Sequence, residues 1–245
     1  MRELQQAAFV LHHSHYGETS LLLEAFVRAH GRIGLIAKGA RRPRSPLRPL
    51  LVPFQPLLIS WTGRGELGTL TAAEAVGGGV GLSAGQVYCG LYLNELLVRL
   101  LHRNDPHEDL FDIYALSLER LCSPAATEIA LRLFEKHLLQ ELGYGLVLDR
   151  EVAGNSPISP DADYDYVPER GPVPAPAAEG GVRLKGASLL ALAMGRFPDA
   201  DALRETKALT RACLARHLGA IPLHSRSLFR TGRSPGEPDR GQRNP

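Results

Sequence analysis

"AAFVLHHSHYGETSLLLEAFVRAHGRIGLIAKG", residues 7–39, holds three short apolar runs separated by two glycine-bearing turns. The runs 7–16, 20–27 and 32–39 are rich in Leu, Ile, Val and Phe and too short for typical helices, so they read as strands. Two more follow at 50–61 and 66–75, joined by the turn Thr62-Gly63-Arg64-Gly65. Five short strands in about 70 residues, with no helical stripe among them, predict a small β-barrel of the OB-fold type. Prolines at 46, 49, 53 and 56 predict that the fourth strand is irregular where it begins.

Beyond Ala75 the pattern changes. "GGGVGLSAG", residues 77–85, reads as a connector. Cys89, Leu93, Leu96, Leu97 and Leu100 then recur at helical spacing. Residues 108–122 give a second helix. Residues 127–142 give a third, with Leu131, Phe134, Leu138 and Leu142 on one stripe and Gly143 as its stop. Residues 151–183 are rich in Pro, Gly and Asp and predict a loosely ordered loop with a short hairpin near Tyr164–Val167. Helical signal returns at 184–197 and after Asp199, a candidate N-cap. The tail has little to bury and is expected to be disordered. The fold class is thus α+β: an OB-fold barrel in 1–80, an α-helical domain in 81–231 with an insertion at 151–183, and a tail at 232–245.

The net charge of +2 hides an asymmetry. Residues 25–65 hold eight bases, Arg28, Arg32, Lys38, Arg41, Arg42, Arg44, Arg48 and Arg64, and no acid. The remainder holds 20 bases against 26 acids. Charge of one sign gathered in one segment makes a local field that attracts anions. Lys and Arg contacts to phosphates supply most nonspecific affinity for nucleic acid, and aromatic faces stack on unpaired bases. Of the flanking aromatics, Phe26 and Phe54 read as core, and Trp61, at a strand end beside a glycine turn, as a stacking candidate. Arg204, Lys207 and Arg211 share one face of a predicted helix, with Arg216, Arg226 and Arg230 following. A solvated helix face explains them equally well.

Motifs for an enzyme are absent: no GxxxxGK[ST], no GxSxG and no HExxH. On a strand His13 and His15 share a face and His12 takes the other, but further metal ligands have no evident source. Three widely spaced cysteines, Cys89, Cys122 and Cys213, give neither a CxxC pair nor a disulfide framework. With no signal peptide and no apolar run long enough for a membrane helix, a cytoplasmic, nucleoid-associated protein without membrane contact is expected.

These residues resemble the RecO family of bacterial DNA-repair and recombination mediators. The resemblance is carried by "FVLHHSHYGETSLLLEAFVRAHGRIGLIAKGARRPRS", then "LYLNELLVRLL" and "LRLFEKHLLQELGYGL", then "FPDADALRETKALTRACLARHLGAIPLHSRSLFR". It spans most of residues 5–231. It implies an OB-fold followed by a helical domain. It implies binding of single- and double-stranded DNA, annealing of complementary strands without ATP, and work with RecR to load RecA onto DNA coated by single-strand binding protein (SSB), in the response to DNA damage known as SOS. By the same resemblance Lys38, Arg41 and Arg42 fall on the family's basic run, and the acidic SSB C-terminal tail is a partner. A receptor for that tail needs an apolar pocket rimmed by bases, and Arg120, Arg132 and Lys136 are candidates. For Arg132 an i, i+4 pair with Glu128 competes. Many members carry a four-cysteine zinc module after the third helix. Residues 148–182 here have no cysteine, so no metal and no cofactor is expected, as in the cysteine-free proteobacterial branch.

The leading expectation is therefore a non-catalytic DNA-binding mediator. Three rivals stay open: an RNA-binding OB-fold protein of translation or transcription, a metal-dependent hydrolase using His12, His13 and His15, and an adaptor that docks on SSB without touching DNA.

Overall fold

The computed structural model describes residues 2–63, 65–177 and 180–225. The tail at 232–245, Arg64, Arg226 and Arg230 lie outside the described residues. Five strands close into a barrel: β1 (Arg2–Tyr16), β2 (Ser20–Val27), β3 (Gly31–Ala37), β4 (Leu57–Thr62) and β5 (Leu67–Ala75). Their order around the barrel is β1-β2-β3-β5-β4, all antiparallel except the short β3–β5 closure. The fourth strand begins only after Pro56, because the prolines before it lack the N–H a ladder needs.

Alternation along the strands builds two cores. Ala8, Val10, Leu23, Ala25, Val27, Ile33, Leu35, Leu57 and Ile59 fill the barrel. Phe9 and Phe26, paired across β1 and β2, point outward. They do not meet water. They pack on the second helix, with Phe9 edge-on to Tyr114 at a centroid distance of 5.1 Å and Phe26 at 5.4 Å from Phe111. Each large apolar side chain so buried contributes about 1.5–3 kcal/mol. Barrel and helices therefore share one continuous apolar contact.

The helices are α1 (Ala84–Leu100), α2 (Glu108–Leu121), α3 (Thr127–Glu141), α4 (Gly186–Met194) and α5 (Ala200–Leu218). Their ends follow local chemistry. The Gln86 side chain accepts from the Ser83 N–H at 3.0 Å at the start of α1. Asp199 caps α5 by accepting from the Ala202 N–H at 2.7 Å, as its position predicts. Gly143, with φ +84°, follows the end of α3. A buried polar node ties three helices together. Glu135 accepts from Tyr92 of α1 and from Arg132 of its own helix, each at 2.7 Å, and from Thr210 of α5.

The insertion is more ordered than its composition predicts. It contains β6 (Asp163–Val167), β7 (Gly171–Pro174) and β8 (Val182–Lys185), in the order β7-β6-β8. The expected hairpin near Tyr164 is its first half. Tyr164 and Tyr166 enter the helical core, which anchors a segment otherwise too polar to fold. Asp165 fastens the sheet by accepting from Arg183 at 2.6 and 2.9 Å and from the Ala177 N–H at 2.7 Å.

Candidate nucleic-acid interface

The chain between β3 and β4 is a run of tight turns laid over one end of the barrel. Gly39, at φ +70°, supplies the first reversal. Backbone bonds Arg42 N–H to Gly39, Ser45 N–H to Arg42, Arg48 N–H to Ser45 and Leu51 N–H to Leu47 carry it onward. Ala40 and Leu51 are buried in the barrel core and Leu47 and Leu50 pack against it. Small apolar anchors thus hold the loop down and leave its bases outside. Lys38, Arg42, Arg44 and Arg48 are exposed, and none forms an ion pair or side-chain hydrogen bond among the described residues. Arg41 is half-buried. Its Nη1 donates to the carbonyls of Gly17 and Glu18, both at 3.2 Å, which fastens the loop to the β1–β2 turn.

Three other residues of the acid-free segment do different work. Arg28 lies on the barrel but pairs with Asp112 and Glu108 of α2. Arg32 donates to Glu24 at 2.9 Å and to the Leu101 carbonyl at 3.1 Å, and Arg103 joins the same carboxylate. Both are corrections to a DNA-contact assignment: their charge is spent on acids of the fold itself. Trp61 is also corrected. It is only 8% exposed, belongs to the barrel core and stacks edge-on with His30, so its face offers no base a platform. The acid-free stretch hid this because the neutralising acids lie up to 84 residues away.

The α5 patch is largely neutralised. Arg204 pairs with Asp201, and Lys207 with Glu128 at 2.8 Å. Arg211 alone of the three is exposed without such a partner among the described residues. Arg216, further along, donates to Glu169 at 2.7 Å.

Comparison with known proteins accords with this architecture. The family model "Recombination protein O N terminal" matches residues 1–78, the barrel, and "Recombination protein O C terminal" matches residues 84–227. The chain belongs to the RecO family. It is 47% identical over 234 residues to DNA repair protein RecO of Nitrosospira multiformis, covering 94% of this chain and 96% of that one. Against DNA repair protein RecO of Nitrosococcus oceani it is 47% identical over 246 residues, with 100% of both covered. Against that of Methylococcus capsulatus it is 48% identical over 230 residues, with 94% of both covered.

Within the RecO frame the tail-binding candidates separate. Arg132 is 1% exposed and sits between Glu135 and Glu128, the latter at 3.5 Å, so the competing i, i+4 pair is present and a buried one joins it. Lys136 donates to the Leu192 and Ala193 carbonyls at 3.2 and 2.9 Å, near the end of α4, and burial lowers its pKa. Both bases are thus committed inside the fold, which corrects their assignment to a pocket rim. Arg120, in the last turn of α2, is exposed and unpaired among the described residues.

The histidines acquire a place that the strand pattern alone does not give. Register slips between Val10 and His12, so Leu11 is a bulge. His13 and His15 then pair with Leu23 and Leu21, whose side chains line the barrel core, and share their face. No group of three His, Cys, Asp or Glu side chains that could hold a metal occurs among the described residues. No helix of the described residues is long and apolar enough to cross a membrane.

Proposed function

We propose that this chain is a non-catalytic mediator of DNA repair and recombination that binds single- and double-stranded DNA through the 38–48 loop. The observation that carries the reading is the contrast within one basic segment. Lys38, Arg42, Arg44 and Arg48 are exposed and unpaired among the described residues, whereas Arg28 and Arg32 are neutralised. Unpaired guanidinium and ammonium groups keep their capacity for phosphates and release counterions when they bind them. Membership of a family whose named relatives are DNA repair proteins supports the same direction.

On this reading the loop annuls part of the repulsion between complementary strands and lets them anneal without ATP. Together with RecR, the chain helps load RecA onto SSB-coated strands. The SSB tail then relies on Arg120 among its three candidate bases, since Arg132 and Lys136 are committed internally. The test is annealing of bare complementary strands without ATP by wild type and by Arg42→Ala with Arg44→Ala. Wild type should accelerate annealing and the variant should lose most of that acceleration. Equal rates would sink the assignment of this loop.

A further inference from the structure

The β1–β2 hairpin and the basic loop face each other across a cleft of about 460 Å³. Its lining is His13, His15, Leu21, Ala40, Arg41, Arg48, Leu51 and Val52. Four of these can be cationic, four are apolar, and none is acidic. The arrangement depends on the Leu11 bulge. Without the extra residue His12 and Ser14 would take the cleft-facing register, and His13 and His15 would turn to the other side. Arg41 fixes the other wall, because its Nη1 grips the hairpin turn at Gly17 and Glu18 and leaves Nε and Nη2 to donate elsewhere. Arg48 is exposed and unpaired among the described residues.

We propose that His13 and His15, with Arg41 and Arg48, form a seat for a backbone phosphate of a bound single DNA strand, the imidazoles donating from one wall and the guanidiniums from the other. This rests on the DNA-binding reading of the loop and extends it to two residues on a different element. Buried Leu21 and Leu51 lie beneath the cleft, and such an apolar underside strengthens charge-assisted bonds above it.

A pH dependence follows. Partial desolvation, then the neighbouring His12 and His15, lowers the pKa of His13 from its ordinary value. The groups around it are all cationic or neutral: His12 and His15 on its own strand, Arg41 and Arg48 on the loop, Leu21 and Leu23 on β2. The hairpin acids stand apart, Glu18 in the turn and Glu24 bound to Arg32 and Arg103. An arriving phosphate supplies the anion that this cluster lacks. It favours the protonated imidazole, and by linkage acid favours the phosphate.

The test is anisotropy of a labelled oligothymidylate at about pH 6 and about pH 8 and fixed ionic strength, with wild type, His13→Gln with His15→Gln, and Arg42→Ala with Arg44→Ala. Both histidines are exposed, and emission from the single, buried Trp61 checks that each variant is folded. Wild type should bind about tenfold more tightly at the lower pH, and the histidine variant should lose most of that gain. The Arg42/Arg44 variant should bind more weakly at both and keep the gain. A histidine variant that keeps the full pH response, or a wild type that shows none, overturns the phosphate seat and leaves the loop reading standing. A wild type that fails to bind at either pH overturns the loop reading and the seat with it.

Discussion

Arg28 on the barrel and Asp112 on α2 form a two-pronged ion pair, Nε to Oδ1 at 3.0 Å and Nη2 to Oδ2 at 2.9 Å. Glu108 adds a third bond one turn earlier. The pair holds the arginine's pKa well above its ordinary value, first through the Asp112 bond, and holds the Asp112 carboxyl below its own, first through Arg28. A base inside an acid-free segment is thus a joint between barrel and helices.

This relationship separates two kinds of arginine. Arg28→Ala should leave affinity for single-stranded DNA within about twofold of wild type and lower the thermal midpoint slightly, as for exposed pairs. Arg42→Ala with Arg44→Ala should weaken DNA binding severalfold and leave the midpoint unchanged. Parallel melting and anisotropy of both variants checks this. The opposite pattern would show that the paired base is the one that meets DNA.

Gly31 predicts how closely barrel and helices are locked. A Cβ there would lie 1.7 Å from the Asp105 carbonyl oxygen, and the residue sits at φ +68°. The neighbouring Asn104 N–H donates to the Arg32 carbonyl at 2.9 Å, so neither backbone can move away freely. Gly31→Ala should cost more than about 4 kcal/mol, seen as loss of the folded fraction by Trp61 emission. A variant of wild-type stability would mean that the 103–105 segment does not press on β3.

Arg132→Ala tests the buried node. It takes from Glu135 the guanidinium that neutralises it in a site with no exposure, and breaking one side of such a pair costs on the order of 3–5 kcal/mol. Any weakening of SSB binding in this variant should therefore track unfolding, by denaturant titration. A fully stable variant deficient only in SSB binding would restore Arg132 as a candidate for the basic rim of the tail pocket.

Asp165 predicts behaviour in acid. The Arg183 guanidinium, then the Ala177 N–H, hold its carboxyl below the ordinary range. A depressed folded pKa adds stability that is fully present above the unfolded value of about 4 and is lost as pH falls through the lower folded value. Asp165→Asn should thus melt below wild type at pH 7, and the difference should close as acid titrates the wild-type carboxylate. A difference that does not shrink as the pH is lowered contradicts the assignment.

Much of the fold is legible in the sequence because its determinants are local. Alternation in 7–39, the Leu93–Leu97 stripe and the Asp199 cap each lie within a few residues of what they specify. What stays hidden depends on distant partners. Arg28 looks free until Glu108 and Asp112 are folded against it. The 163–185 sheet is obscured by prolines and glycines because its stability comes from Tyr164 and Tyr166 entering a core built elsewhere. The site is legible in part: Lys38, Arg42, Arg44 and Arg48 stay exposed, whereas the placement of His13 and His15 hinges on a one-residue bulge that alternation cannot show.

The most direct measurement of the central claim is the dependence of single-stranded DNA affinity on salt. Log affinity against log salt should be a steep line for wild type. For Lys38→Ala with Arg42→Ala and Arg44→Ala its slope should be shallower by roughly 0.7 for each phosphate no longer neutralised, about two in all. A variant whose slope and affinity match wild type would contradict the placement of DNA on this loop.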